Sequence, residues 1–315
     1  MQKHFVNFKN FLDIKKNRNL EIKLKKKLDI CVQEKLIKSF SQKYKYSYEN
    51  INFKKYNNFK NINLIGMGGS ALGAKAIYNF FSPKIKKKFT FVDNINLKKN
   101  YNQNLKSLNL VISKSGNTLE TISNFKSLKN KKNNLFICEN SNNQIRNLAK
   151  KLKSDIIDHR NYIGGRYSVL SEVGMLPALL MGLNPKKFKR FDNLIKNKRF
   201  INSLISNVIS TVALIRKKKY NSIILNFDEN SEGLFNWYQQ LIAESLGKKS
   251  KGLLPVVSNL PRDNHSMMQL YLDGPSTNFY TFFDVLDHSK NNHLANIKLA
   301  QKYATQTIFK RKKIP

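Results

Sequence analysis

Residues 110–123 read LVISKSGNTLETIS. An apolar run of strand character ends in a turn of small, hydroxylated and cationic residues (Ser113, Lys114, Ser115, Gly116, Thr118), and a helical pattern starts at Leu119. The run does not alternate, as expected of a strand covered on both faces. The same order of strand, small-residue turn and helix occurs upstream, where NINLIG (61–66) leads into MGGSALGAK (67–75). Further strand-like runs lie at 89–94, 108–115, 134–140 and 154–161, with helical patterns at 70–81 and 119–130. This alternation predicts a doubly wound parallel sheet flanked by helices, an α/β fold.

The turn at 66–70 suits an anion. Glycines let backbone amides approach a ligand, and the helix that follows presents its positive dipole end. Ser70 stands where an N-cap residue would, and its hydroxyl could equally serve a phosphate oxygen. Gly66, Gly68 and Ala71 also satisfy a dinucleotide fingerprint, with Asp93 at the end of the next strand. The 113–118 turn argues for the alternative. In an open parallel sheet the third strand returns beside the first, so two anion-binding tips meet at the switch point and favour one compact phosphate.

A second unit follows a charged stretch. SIILNF (222–227), LLPVVSNL (253–260) and FYTFFDVL (279–286) read as strands, and 232–248 and 291–310 as helices. The expected divisions are a Lys-rich, weakly helical segment (1–57), a first domain with the phosphate loops (58–185), a helical connector (186–218) and a second, incomplete α/β domain (219–315).

Composition narrows the function classes. The formal charge is +37, nearly all of it Lys scattered along the chain. Nucleic-acid readers concentrate Arg and Lys in patches with stacking aromatics, so the scatter indicates a pervasive bias and no nucleic-acid partner. No apolar run is long enough to span a membrane, and two cysteines do not make a disulfide framework. A reduced, cytoplasmic setting is expected. The five histidines show no ligand spacing with Cys or carboxylates, so neither a metal nor a cofactor is expected.

Three stretches concentrate candidate catalytic groups. Arg166 follows Gly164 and Gly165. Gln240 and Glu244 are four apart and share a helix face, where a partly buried carboxylate suits the work of a base. His265 lies in the polar turn PRDNHSMMQ (261–269), and an imidazole suits acid–base exchange.

The motifs GMGGSALG, VISKSGNT, GGRYSVLS, the Gln-x-x-x-Glu-Ser-x-Gly-Lys helix and DNHSMMQ occur here in the order found in glucose-6-phosphate isomerases, and residues 60–300 resemble that family. The resemblance implies two sugar-isomerase (SIS) domains and interconversion of glucose 6-phosphate and fructose 6-phosphate through an enediolate. It implies that Gly69, Ser70, Ser113, Lys114, Ser115 and Thr118 surround the phosphate. Glu244 would move the proton, Arg166 stabilise the enediolate, His265 assist ring opening and Gln240 position the open chain. It also implies a homodimer, with His265 contributed across the interface. A further family lysine, in a helix after a Gln-Pro-Gly-Val-Glu-like segment, has no counterpart; Lys310, Lys312 and Lys313 do not match it, which suggests a truncated chain. Alternatives are a non-catalytic SIS sugar-phosphate-binding regulator and an isomerase that also accepts mannose 6-phosphate.

Overall fold

Five parallel strands form the first sheet: β1 (Asn61–Ile65), β2 (Lys88–Val92), β3 (Ser107–Ile112), β4 (Asn134–Glu139) and β5 (Asp155–His159), in the order β2-β1-β3-β4-β5. The computed structural model describes residues 18–49, 51–95, 106–285 and 292–315. The chain divides into two compact units. One comprises Glu34–Phe191; the other joins α1 (Arg18–Gln33) to Asp192–Pro315. Histidines 4 and 288, Leu286 at the end of the expected eighth strand, and residues 1–17 of the Lys-rich segment lie outside the described residues.

In the first unit, short helices α2 (Lys35–Lys38) and α3 (Lys54–Asn57) precede the sheet, and α4 (Leu72–Phe81), α5 (Leu119–Lys126), α6 (Gln144–Lys151) and α7 (Glu172–Leu180) cross over it. All six residues of β3 are buried, which is why its apolar pattern does not alternate. Phe125 of α5 meets Phe136 of β4 edge to face at 5.4 Å, and both are fully buried. Each such ring contributes roughly 1.5–3 kcal/mol by leaving water. Register is fixed by a buried polar row. The side-chain amide of Asn63 donates to Asn109 and that of Asn109 to Asn134, each at 3.0 Å, and Asn134 donates to Lys131 O at 2.8 Å. A one-residue slip would leave these buried amides without partners.

The segment before β1 is held to this unit by a cluster that composition does not reveal. Glu172, fully buried, accepts from Tyr44 Oη (2.9 Å) and Ser47 N (3.1 Å), with His159 Nδ1 3.8 Å away. Burial alone would raise the Glu172 carboxyl; His159, backbone amides and Tyr44 outweigh it and hold the group below its usual range. Lys189, 2% exposed, donates to Ser39 O and lies 4.4 Å and 4.9 Å from the ring centres of Tyr44 and Tyr46.

The second unit has a parallel sheet of β6 (Asn221–Asn226), β7 (Leu254–Asn259) and β8 (Asn278–Phe283), in the order β7-β6-β8. Helices α8 (Phe191–Lys196) and α9 (Lys198–Arg216) occupy the stretch read as a connector, and α1 lies against α9 with Leu24, Leu28, Leu204, Ile205 and Val208 lining an apolar groove between them. Helices α10 (Glu232–Leu246), α11 (Met268–Asp273) and α12 (His293–Arg311) complete it, around a core of Ile223, Leu225, Phe227, Leu260, Tyr271 and Phe309. Both sheets are parallel and helix-flanked, as the periodicity predicts. Among the described residues, no helix is long and apolar enough to cross a membrane and no cluster of His, Cys, Asp or Glu is arranged to hold a metal.

Burial lowers the Lys189 ammonium from 10.5 to about 8, against an opposing pull from Glu172. Between about pH 8 and 10 the unfolded chain therefore holds this proton more firmly than the folded chain, and stability gains with rising pH. Urea midpoints measured across that window should climb less steeply in Lys189→Met than in the wild type. Parallel curves would mean that Lys189 keeps its proton when folded.

Candidate active site

Order β2-β1-β3 means that the chain leaves β1 to one side and returns on the other, so the carboxyl ends of β1 and β3 open a crevice at a topological switch point. The two tips are pressed together there. A Cβ on Gly66 would stand 2.9 Å from Ile112 O, so only glycine lets β1 run into its turn at this place. Gly68 takes a left-handed φ of +52°, and Gly68–Ser70 forms one turn of 3₁₀ helix before α4. The expected N-cap role of Ser70 does not hold: Ala71 occupies the cap position and no side chain caps α4. The 3₁₀ turn moves the helix start two residues on, to Leu72, and leaves Ser70 half-buried at the crevice.

A third segment closes on the same place. A Cβ on Gly69 would lie 2.3 Å from the carbonyl of Gly165 and 2.7 Å from Arg166 N. Ser168 Oγ ties the two turns together, donating to Gly165 O at 2.7 Å and Gly69 O at 3.2 Å. Arg166 is thereby set beside the first loop, its guanidinium stacked 4.5 Å from the centre of the Tyr167 ring.

The 113–118 turn is internally braced. Ser113, 2% exposed, shares a 3.0 Å hydrogen bond with Thr118 Oγ1 and accepts from Gly116 N at 3.2 Å. Ser115 is exposed and accepts from Asn117 N at 3.3 Å. Gly116 has φ +68°, and a Cβ there would run into the Asn143 side chain. Lys114 pairs with Glu139 at 3.5 Å, at the tip of β4. Asn143, Glu139 and Ser168 escape sequence reading because each acts from another strand or turn. The polar run ENSNN at the end of β4 is the one signal for Glu139 and Asn143, and Ser168 lies within the GGRYS stretch.

In the second unit, Gln240 Nε2 donates to Glu244 Oε2 at 3.2 Å across one turn of α10, as their spacing predicts. Within the single chain Glu244 is exposed, in contrast to the partly buried setting expected from its neighbours Leu241 and Ile242. Helix α10 is hung along β7 by Asn259 Nδ2 to Glu232 Oε1 (3.1 Å) and Gln239 Nε2 to Pro255 O (3.0 Å). Glu232 is thus level with the carboxyl end of β7, and Glu244 lies near its amino end. His265 is exposed in the turn that follows β7, at the carboxyl end. Gly69, Ser70, Arg166 and the 113–118 turn therefore share one edge of the first sheet. Glu244 and His265 stand at opposite ends of β7.

The phosphoglucose isomerase family model matches residues 28–286. Over 248 residues the chain is 33% identical to the glucose-6-phosphate isomerase of Methanocaldococcus jannaschii, covering 73% of this chain and 61% of that one. It is 31% identical over 256 residues to that of Campylobacter jejuni, covering 73% and 62%. The chain thus spans about three fifths of the length of these curated relatives. Among solved structures, a hypothetical protein from Thermus thermophilus superposes with a TM-score of 0.71 at 19% identity, covering 94% of this chain and 82% of that one. A glucose-6-phosphate isomerase from Chlamydia trachomatis gives 0.63 at 17% identity, covering 94% and 62%. At such identities the likeness is one of fold.

The backbone contact at Gly69 yields a direct test. Gly69→Ala should force the 66–70 and 164–168 turns apart, costing about 1–3 kcal/mol by overpacking. The loss should appear as a lower urea midpoint. An alanine variant with a wild-type urea midpoint would show that the two turns do not need this approach.

Proposed function

This chain belongs to the phosphoglucose isomerase family, and from that premise we propose that it interconverts glucose 6-phosphate and fructose 6-phosphate. The observation that carries the reading is the meeting of the 66–70 turn, the end of β3 and Arg166 at one sheet edge. A phosphate monoester carries charge on several oxygens and suits a cup of hydroxyls and backbone amides. Ser70, Ser113, Ser115 and Thr118 supply the hydroxyls, Gly69 the close backbone, and Lys114 steadies the loop through Glu139.

The chemistry follows from what the reaction must move. His265 assists ring opening by taking the proton from the anomeric hydroxyl as one returns to the ring oxygen. Glu244 then removes the proton at C2 of the aldose, the C2–H electron pair becomes the C1=C2 bond of an enediolate as the C1 carbonyl pair moves to O1, and the carboxyl returns the proton to C1 while the O2 proton passes to O1 and C2 becomes the carbonyl. Arg166 balances the charge that develops on the enediolate oxygens. Gln240, bonded to Glu244, positions the open chain. The sequence requires neither a metal nor an external oxidant, since one carbon is oxidised as its neighbour is reduced. A net charge of +37 speeds the approach of an anionic sugar phosphate. Two free cysteines agree with a reduced, cytoplasmic setting.

The working unit in this reading is a homodimer, with His265 supplied by the neighbouring subunit. The spacing within one chain supports it. From Glu232 to Glu244 helix α10 runs about 18 Å, and His265 lies at the Glu232 end. One chain's Glu244 and His265 are poorly placed to serve the same sugar, whereas two chains can each contribute one.

Two measurements test this reading. In a coupled assay with fructose 6-phosphate, Glu244→Gln should lower kcat by about 10²–10⁴-fold while substrate still binds. Equal rates in variant and wild type would remove Glu244 from its role. If the sites are shared, mixing Glu244→Gln with His265→Gln chains should restore about a quarter of wild-type activity, because half of the reassorted dimers carry one intact site. A mixture as inactive as its components would place both groups on one chain.

A further inference from the structure

His265 sits on an exposed turn, yet ring opening needs its imidazole held to within a fraction of an ångström of two oxygens. The turn has an anchor that no assigned role explains. Asp263 Oδ2 accepts from Asn259 N at 2.8 Å and from Ser258 Oγ at 3.1 Å, closing the chain back onto the last two residues of β7. Asp263 O accepts from Met267 N at 2.9 Å, so His265 is bracketed between two bonds to one residue. His265 N itself donates to Arg262 O at 3.2 Å.

The receiving end is rigid. Asn259 Oδ1 accepts from Asn226 Nδ2 at 3.0 Å, across the β6–β7 pair, and its Nδ2 donates to Glu232 at 3.1 Å. Ser258 is 1% exposed. Burial alone would raise the Asp263 carboxyl, but Arg262, Asn259 N and Ser258 outweigh it and keep the group below the usual carboxylate range. It therefore remains an ionised acceptor at neutral pH, and charge-assisted bonds of this kind are the stronger ones.

The geometry points to Asp263 as the positioning residue for His265: its carboxylate pins the ring-opening turn to the end of β7. This inference rests on the isomerase reading for the step it serves, and on the structure alone for the pinning itself.

The test uses the full chain with Asp263→Ala and Asp263→Asn. An asparagine keeps an oxygen that Asn259 N and Ser258 Oγ can reach, losing only the pair with Arg262, whose side chain is 75% exposed. In the alanine variant kcat for fructose 6-phosphate should fall about tenfold to a hundredfold, with KM within about twofold. Affinity for an open-chain aldonate phosphate, which needs no ring opening, should be unchanged. The asparagine variant should recover to within about threefold of wild type. The His265 ring signal in carbon-13 histidine-labelled protein, assigned with His265→Gln, should move in the alanine variant and return in the asparagine one. Wild-type turnover with an unmoved ring signal in Asp263→Ala overturns the proposal. So does a matched loss of melting temperature and analogue affinity in both variants, which would mark a general role in the fold. If the wild-type chain does not isomerise at all, the isomerase reading fails, and the ring signal alone then decides the pinning.

Discussion

Everything at the first sheet's edge depends on backbone meeting backbone without side chains between. Gly66 lets the end of β1 lie against the carbonyl of Ile112, and Gly69 lets the next turn lie against Gly165 and Arg166. Two glycines thus set the distance between three segments far apart in the chain. Hydroxyls and amides on those segments can converge only if that distance is short. Ser113 and Thr118 are hydrogen-bonded to each other, so bonds within the 113–118 turn set its shape.

The second unit repeats the strand–turn–helix order and inverts its electrostatics. Where β1 leads into GMGGS, β6 leads into FDENSEG, so Asp228, Glu229 and Glu232 stand around the start of α10. Ser231 Oγ donates to Asp228 at 2.6 Å, and Glu232 is bonded to Asn259. Carboxylates favour this helix terminus electrostatically and repel a phosphate from it. The same architecture therefore serves two ends: in the proposed reading one unit grips an anion, and the other uses its strand tip to brace the helix and turn that carry Glu244 and His265.

Much of this was legible in the sequence. Eight strands show as apolar runs, most plainly β1, β3, β4 and β6, which are covered on both faces, and the glycine turns show because no other residue fits. What stayed hidden depends on contacts between distant positions. Lys189 reads as one more lysine in a Lys-rich chain, and only the fold brings Ser39, Tyr44 and Tyr46 around it. Ser70 read as an N-cap because sequence gives no sign of the 3₁₀ turn that displaces α4. Asp263 carries no signal beside His265 in the sequence, because its partners are a backbone amide and a strand-end serine. The Asn63–Asn109–Asn134 row comes from three separate strands, and only the fold joins it into a polar element that fixes strand register.

The excess of lysine bears on specificity in the opposite sense to its size. A chain with 57 cationic side chains attracts any anion, so attraction alone cannot select a sugar phosphate. Selection requires donors whose direction matters more than their charge. At the phosphate loops the one lysine, Lys114, is paired with Glu139, which removes much of its pull on unrelated anions. The remaining donors are hydroxyls and backbone amides fixed by glycine geometry, and their bonds reach only an oxygen placed at the right angle. Salt weakens the long-range field far more than these short bonds. In the proposed reading a general cationic surface gathers anions, and the hydroxyls and amides of the two loops, with Arg166 beside them, sort them.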